Sequence, residues 1–167
     1  YANDDMFFAA DCDVDFFFDK NNNPIIRTFH KKFPKNLKDL LKKTKEDHYK
    51  LYLQTLVYSN YLVAKKFGVF YQFSPHHNID AYRKSYVEDT INNFKEDFER
   101  TYTCKFREAN TIQRVIFSYI DVFKQRASLK ITTRFKRNIL RFIPRKIAVN
   151  IFTWESLAYH TDHISYP

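Results

Sequence analysis

Glycine is nearly absent from this sequence. The 167 residues include a single glycine, Gly68, although average usage of about 7 % predicts roughly 12 glycines in a chain of this length. A P-loop or a G-x-G-x-x-G turn needs several glycines, because the backbone amides must approach the phosphate closely. The sequence therefore excludes nucleotide sites built on glycine-rich loops, and any nucleotide chemistry must rely on side chains.

Cysteine and long apolar runs are also scarce. Cys12 and Cys104 can form at most one disulfide, and no C-x-x-C pair indicates a zinc site. We therefore expect a reducing compartment. No apolar run reaches the ~18 residues of a membrane span, and the opening residues lack the pattern of a signal peptide. These absences predict a cytoplasmic location.

Aromatic residues are abundant, and charge is segregated along the chain. The 18 Phe, 12 Tyr and one Trp exclude a disordered tail, and the length of 167 residues predicts one domain. Nine of the 28 basic residues lie between Lys124 and Lys146, a stretch without acids, and the remaining 19 balance the 19 acidic residues. The first nineteen residues contain aspartates but no Lys or Arg. These oppositely charged regions predict two different sites.

Hydrophobic periodicity predicts an α/β fold that is rich in helix. We expect strands at residues 16–18, 25–29 and 69–73, and helices at residues 36–66, 80–101 and 111–125. Gly68 lies where a C-terminal helix cap is expected. The run from Asn21 to Pro24 is typical of a turn.

Asn3-Asp4-Asp5 is the first motif whose side chains could bind a metal ion or take part in a reaction. Two carboxylates and an amide at a strand end suit Mg²⁺ or Mn²⁺, which bind through one or two carboxylates together with substrate phosphates. An Asx turn or a helix N-cap explains the same residues without a ligand.

A second acidic motif follows at Asp11-x-Asp13-x-Asp15. An EF-hand would need glycine and glutamate where the sequence has Phe16 and Asn22, so the calcium hypothesis fails. A D-x-D motif of a metal-dependent glycosyltransferase stays open, as does a solvated strand face.

His76-His77 lies between a predicted strand and a predicted helix. Catalytic side chains are often presented from such a junction, although a helix cap or a buried histidine is the simpler explanation. Further positions support a functional role, because a set of residues follows His77 on the next helix and just beyond it: Phe94, Phe98, Thr101 and Phe106-Arg107.

These motifs together resemble the Stealth family over about residues 1–126. The resemblance is carried by Tyr1-x-Asn3-Asp4-Asp5-x-Phe7-Phe8, His77, Thr101 and Phe106-Arg107. The family comprises bacterial capsular polysaccharide phosphotransferases related to the catalytic subunit of N-acetylglucosamine-1-phosphotransferase. The resemblance implies the helix-rich C-terminal part of a Rossmann-like nucleotide-sugar transferase domain, with its N-terminal strands missing.

The resemblance also implies a reaction and its residues. A hexose 1-phosphate is transferred from a UDP-sugar donor to a hydroxyl of a glycan acceptor, which can be lipid-linked, and UMP leaves. Asp4 and Asp5 match the motif for Mg²⁺ or Mn²⁺, and Asn3 binds the donor. His77, Asp5 and Arg107 are the implied catalytic residues, and Arg107 also contacts the donor phosphate. A histidine base, a divalent ion and a guanidinium suit phosphoryl transfer.

The sequence departs from the family at several places. The family's first conserved region, with a V-Y-T-W-V-D-G-type strand, and the early part of its second region should precede Asn3, and both are absent. Thr111 stands where relatives tend to have Asp, and Asn150 is followed by Ile151 rather than Asp. We therefore expect residues 1–126 to be part of a catalytic domain, and this chain alone to be inactive.

Residues 127–167 are expected to form a basic amphipathic C-terminal segment. The cations of residues 124–146 alternate with apolar side chains, a pattern that suits peripheral contact with an anionic membrane on its inner face. The pattern also suits an acidic glycan or a nucleic acid, or a solvated helix face whose cations pair with parts of the missing sequence. We do not expect a nucleic-acid partner, because the first nineteen residues are acidic.

Two alternative functions stay open at this point. One is a non-catalytic module that binds nucleic acid or another anionic polymer through the basic stretch. The other is a D-x-D glycosyltransferase, which would release UDP instead of UMP.

Overall fold

The computed structural model describes residues 13–46, 50–76 and 79–132, which form an α/β unit and confirm the predicted class. The elements are α1 (Val14–Phe17), β1 (Ile25–His30), α2 (Leu37–Lys43), α3 (Leu51–Phe67), β2 (Phe73–Pro75), α4 (Lys84–Asn93), α5 (Lys95–Thr103), α6 (Val115–Phe123) and β3 (Ser128–Thr132). Within these residues, no helix has the length and apolar character needed to cross a membrane.

The three strands form one mixed sheet in the order β2-β1-β3. β1 pairs with β2 in the antiparallel direction, with Phe29 opposite Ser74, and with β3 in the parallel direction, with Thr28 opposite Ile131. The parallel pair needs a long crossover, and the helices α2–α6 lie within that crossover. The predicted strand at 25–29 is confirmed.

The predicted strand at residues 16–18 is wrong, because this stretch lies mainly in α1. The Phe16 N–H donates to the Asp13 carbonyl, and the Phe18 N–H donates to the Val14 carbonyl, so the chain turns instead of extending. The Asp19 carboxylate then accepts from the backbone N–H groups of Asn21 and Asn23. The turn that the sequence predicted therefore begins at Asp19, directly after the aromatic run.

The predicted strand at residues 69–73 is correct only at Phe73, where β2 begins. Asn60 on α3 takes the place of a neighbouring strand, since its side chain donates to the Tyr71 carbonyl at 2.9 Å and accepts from the Tyr71 N–H at 3.1 Å. A buried side-chain amide thus satisfies the backbone groups that a strand partner would otherwise satisfy.

The predicted helices are shorter than expected and two of them are divided. The helix expected at 36–66 is α2 and α3, and the helix expected at 80–101 is α4 and α5, which meet at Phe94. The backbone of Phe94 leaves the helical region (φ −130°, ψ 37°) while its ring packs edge-on against Phe67. Gly68 ends α3 at φ 72°, as the cap prediction required.

The core lies where α3 and α6 pack together beside β2. Tyr119 is fully buried, its ring stacks on Tyr71 at 4.6 Å between centroids, and its hydroxyl donates to the Phe73 carbonyl at 3.0 Å. Burial raises the pKa of both phenols, to about 12 for Tyr71. Helix α6 is therefore fixed to the strand that precedes the candidate site.

Candidate functional site

The end of β2 carries a buried histidine. His76 is 1 % exposed, its backbone N–H donates to the Arg27 carbonyl at 3.3 Å, and its ring stacks on Phe29 at 3.7 Å. Burial lowers the pKa of His76 to about 4, a hydrogen bond with the Thr28 backbone opposes the shift, and the Arg27 charge adds to it. The imidazole is consequently neutral near pH 7 and serves as part of the core.

One arginine connects the chain on both sides of residue 77. Arg114, which precedes α6, donates from Nη2 to the His76 carbonyl at 3.0 Å and forms an ion pair with Asp80. Both side chains are only 14 % exposed, and the Tyr82 hydroxyl donates to the same Asp80 oxygen at 3.2 Å. We call His76, Asp80 and Arg114 the strand-end cluster, which fixes the backbone that flanks His77.

Most of the predicted site residues lie outside the described residues. Asn3, Asp4, Asp5 and His77 are in this group, so their proposed grouping around a donor phosphate stays a prediction. Within residues 13–46, 50–76 and 79–132, no group of three or more His, Cys, Asp or Glu side chains is arranged to hold a metal ion. The metal prediction continues to depend on Asp4 and Asp5.

Arg107 is the predicted site residue that the structure describes. It is exposed in the loop between α5 and α6, and its guanidinium lies 5.7 Å from the centroid of the Tyr52 ring. In the described part of the chain it forms no ion pair with a carboxylate. A guanidinium that is free of acidic partners remains able to bind phosphate oxygens in the bidentate manner.

The other motif residues near Arg107 have structural roles. Phe94 and Phe98 are buried in the core, and each is 5 % exposed. The Thr101 hydroxyl donates to the Asp97 carbonyl at 2.8 Å and accepts from the Ile112 N–H at 3.1 Å. Phe106 is 76 % exposed. Thr101 thus ties both ends of the loop together and leaves Phe106-Arg107 at its exposed tip.

Two cations of the basic stretch form ion pairs within the protein. Lys124 and Arg126 both donate to the carboxylate of Asp89, at 2.6 and 2.7 Å, and Arg126 also donates to Asp121 at 2.8 Å. The hydrogen bond from Lys124 contributes most to lowering the pKa of Asp89, whereas burial raises the pKa of Asp121. Lys124 and Arg126 are therefore paired within the described part of the chain, and not with missing sequence as the solvated-face alternative expected.

The remaining cations of residues 124–146 divide into two groups. Lys130 is exposed on β3, which is part of the sheet. The others begin at Arg134 and lie outside the described residues. Contact with an anionic membrane, and the boundary between residues 126 and 127, stay predictions.

Local sequence patterns did not predict the strand-end cluster. Asp80 was expected to begin a helix, and His76 was considered only together with His77. One signal was available, because Arg114 lies among apolar residues at the start of a helix, where the helix dipole disfavours a cation. A basic residue in that position indicates a tertiary partner, which the structure identifies as Asp80.

No protein-family model, no curated protein and no solved structure matches this chain. The functional assignment therefore depends on the sequence motifs and on the geometry of the strand-end cluster and the α5–α6 loop.

Proposed function

We propose that this chain is part of a sugar-1-phosphate transferase, which transfers a hexose 1-phosphate from a UDP-sugar to a glycan hydroxyl in capsular polysaccharide synthesis. The proposal includes a Rossmann-like domain. The parallel pairing of β1 and β3, which are joined by a crossover that contains α2–α6 and also β2, supports that part of it.

The observation that carries the proposal is the support on both sides of His77. Arg114 binds the carbonyl of His76, before it, and the carboxylate of Asp80, after it. A general base must be held within reach of the proton that it removes, and an ion pair that is largely shielded from solvent beside a strand end provides such a fixed support. The same residues without His77 would suggest a purely structural turn.

The reaction has a defined balance of bonds. The oxygen of the acceptor hydroxyl attacks the phosphorus that carries the sugar, and the bond from that phosphorus to the oxygen shared with UMP breaks. UMP leaves with the electron pair of that bond, and His77 accepts the proton of the hydroxyl. Phosphoryl transfer requires mainly positioning and charge stabilisation, so the lack of a glycine-rich loop is compatible with it.

The remaining residues would stabilise the charge on the phosphate. Arg107 would bind the donor phosphate, and Asn3 would hold the donor. Mg²⁺ or Mn²⁺ held by Asp4 and Asp5 would neutralise negative charge on the phosphoryl oxygens.

The test measures the nucleotide released by the longest natural polypeptide that contains these 167 residues. A panel of UDP-hexoses is incubated with a glycan acceptor and Mg²⁺ or Mn²⁺. The proposal expects UMP, and expects its release to be lost in His77→Ala and unchanged in the neighbouring variant Asn78→Ala. Release of UDP would support the D-x-D glycosyltransferase instead, and no release from any donor would refute the proposal.

A further inference from the structure

A cleft of about 620 Å³ lies between α3 and the α4–α5 pair. Tyr58, Tyr61, Leu62 and Lys65 of α3 line one side, and their i, i+3, i+4, i+7 spacing places them on one face of that helix. Asn93 of α4 and Glu96, Asp97 and Arg100 of α5 line the other side. The volume falls within the range of about 300–1,000 Å³ that is typical of small-ligand sites.

Part of the cleft wall is held in place by a hydrogen-bond network. Asp97 Oδ1 accepts from the Tyr58 hydroxyl and from Arg100 Nη2, each at 3.0 Å. Arg100 Nη2 also lies 2.7 Å from the Tyr58 hydroxyl and 2.8 Å from the Asn110 carbonyl. These side chains are therefore oriented before any ligand binds, which lowers the entropic cost of binding.

Several polar groups along the cleft have no partner in the described part of the chain. Asp97 Oδ2 accepts no hydrogen bond there, and the Glu96 carboxylate, the Tyr61 hydroxyl and the Lys65 ammonium form no hydrogen bond or ion pair there. Glu96 and Asp97 accept hydrogen bonds, Lys65 donates them, and Tyr61 can do both. A ligand that satisfies this set must carry groups that both donate and accept.

The charges and the rings narrow the class of ligand. The lining has three cations and two anions. Arg100 is paired with Asp97, and Lys66 donates to the Asn93 carbonyl. The remaining charged groups, Lys65 and Glu96, have opposite signs, so no cluster of unpaired cations is present among the described residues to select a phosphate. The rings of Tyr58 and Tyr61 lie 6.1 Å apart at 30° and contribute an apolar surface with polar ends. A ligand ring that carries hydroxyl groups at its edge and apolar C–H bonds on its faces would match both the charged groups and the tyrosine surface.

We propose that this cleft binds the pyranose ring of a neutral saccharide. Asp97 Oδ2 and Glu96 accept from ring hydroxyls, Lys65 donates to a ring oxygen, and Tyr61 packs against the C–H face. The proposal does not depend on the transferase function, because it concerns only the residues of α3–α5.

The test uses the full 167-residue chain and saturation-transfer NMR with maltotriose, cellotriose and N,N′-diacetylchitobiose. Binding of at least one saccharide is expected, with affinity reduced about tenfold, or about 1.4 kcal/mol, in Tyr61→Ala and in Asp97→Asn. The matched control is Tyr102→Ala, which removes a 67 % exposed tyrosine that does not line the cleft and lies on α5, the helix that carries Asp97. Circular dichroism checks that each variant is folded.

Three results would overturn this proposal. The first is no saturation transfer to any of the three saccharides. The second is an equal loss of binding in Tyr102→Ala and Tyr61→Ala. The third is displacement of the bound saccharide by inorganic phosphate at millimolar concentration, which would identify an anion site.

Discussion

Two arginines of this molecule are close in sequence and opposite in character. Arg114 is 14 % exposed and is held by Asp80 and by the His76 carbonyl. Arg107 is exposed on a loop, and its described contact is with the face of the Tyr52 ring. The guanidinium of Arg114 is therefore bound by a carboxylate and a backbone carbonyl of the protein, whereas the guanidinium of Arg107 is accessible to solvent.

This difference indicates a structural role for Arg114 and leaves Arg107 available for binding a ligand. A buried arginine whose donors already bind the protein stabilises a turn but has little capacity left for a ligand. An exposed arginine without an acidic partner contributes little to folding but keeps its donors available for phosphate. Because the two arginines differ in burial, their substitutions should differ most in the free energy of unfolding.

Arg114→Met should destabilise the fold most. The substitution leaves the Asp80 carboxylate nearly buried without its cation, a change that typically costs about 3–5 kcal/mol. Denaturant unfolding measures the loss. Adding Asp80→Asn in the same chain should recover part of it, because the uncompensated charge is then removed.

Lys84→Met is the matched control for Arg114→Met. Lys84 pairs with Glu88 at 3.8 Å, and the two side chains are 90 % and 59 % exposed. An exposed pair contributes about 0–1 kcal/mol, so this variant should be close to the wild type. Equal losses in Arg114→Met and Lys84→Met would contradict the supporting role of Arg114.

The sequence predicted the class of the fold and the end of helix α3 better than it predicted the candidate site. The periodicity of apolar residues located β1 and the helical regions, and Gly68 marked the end of α3. The breaks were missed because they depend on tertiary contacts: Asn60 replaces a strand partner at Tyr71, and core packing accompanies the break at Phe94. The Arg114–Asp80 pair joins residues far apart in sequence, so local patterns could not predict it.

The pH dependence of stability should reveal the buried imidazole. The pKa of His76 is lowered to about 4 in the folded protein, against about 6.5 in an unfolded chain. Between these values the unfolded state binds more protons, so stability falls as the pH decreases from 6.5 to 4, by roughly 3 kcal/mol. Unfolding measured from pH 7 to pH 4 should show this loss in the wild type but not in His76→Gln. Parallel profiles for the two proteins would contradict it.

Tyr119→Phe should have an intermediate effect. It removes the hydroxyl that donates to the Phe73 carbonyl at 3.0 Å and keeps the stacked ring. A buried carbonyl left without its donor costs about 1–3 kcal/mol. Thermal or denaturant unfolding measures the loss, and Tyr102→Phe, at an exposed position of α5, is the control that should remain unchanged.

Arg107→Ala should have the smallest effect on the free energy of unfolding, and it tests the phosphate-binding role of Arg107 most directly. Its free energy of unfolding should stay within about 0.5 kcal/mol of the wild type, as for other exposed residues. UMP release by the longest natural polypeptide that contains the chain should fall by about 100-fold or more, because a charge-stabilising donor is lost. A large loss of stability, or UMP release equal to that of the wild type, would contradict the division between a supporting Arg114 and a phosphate-binding Arg107.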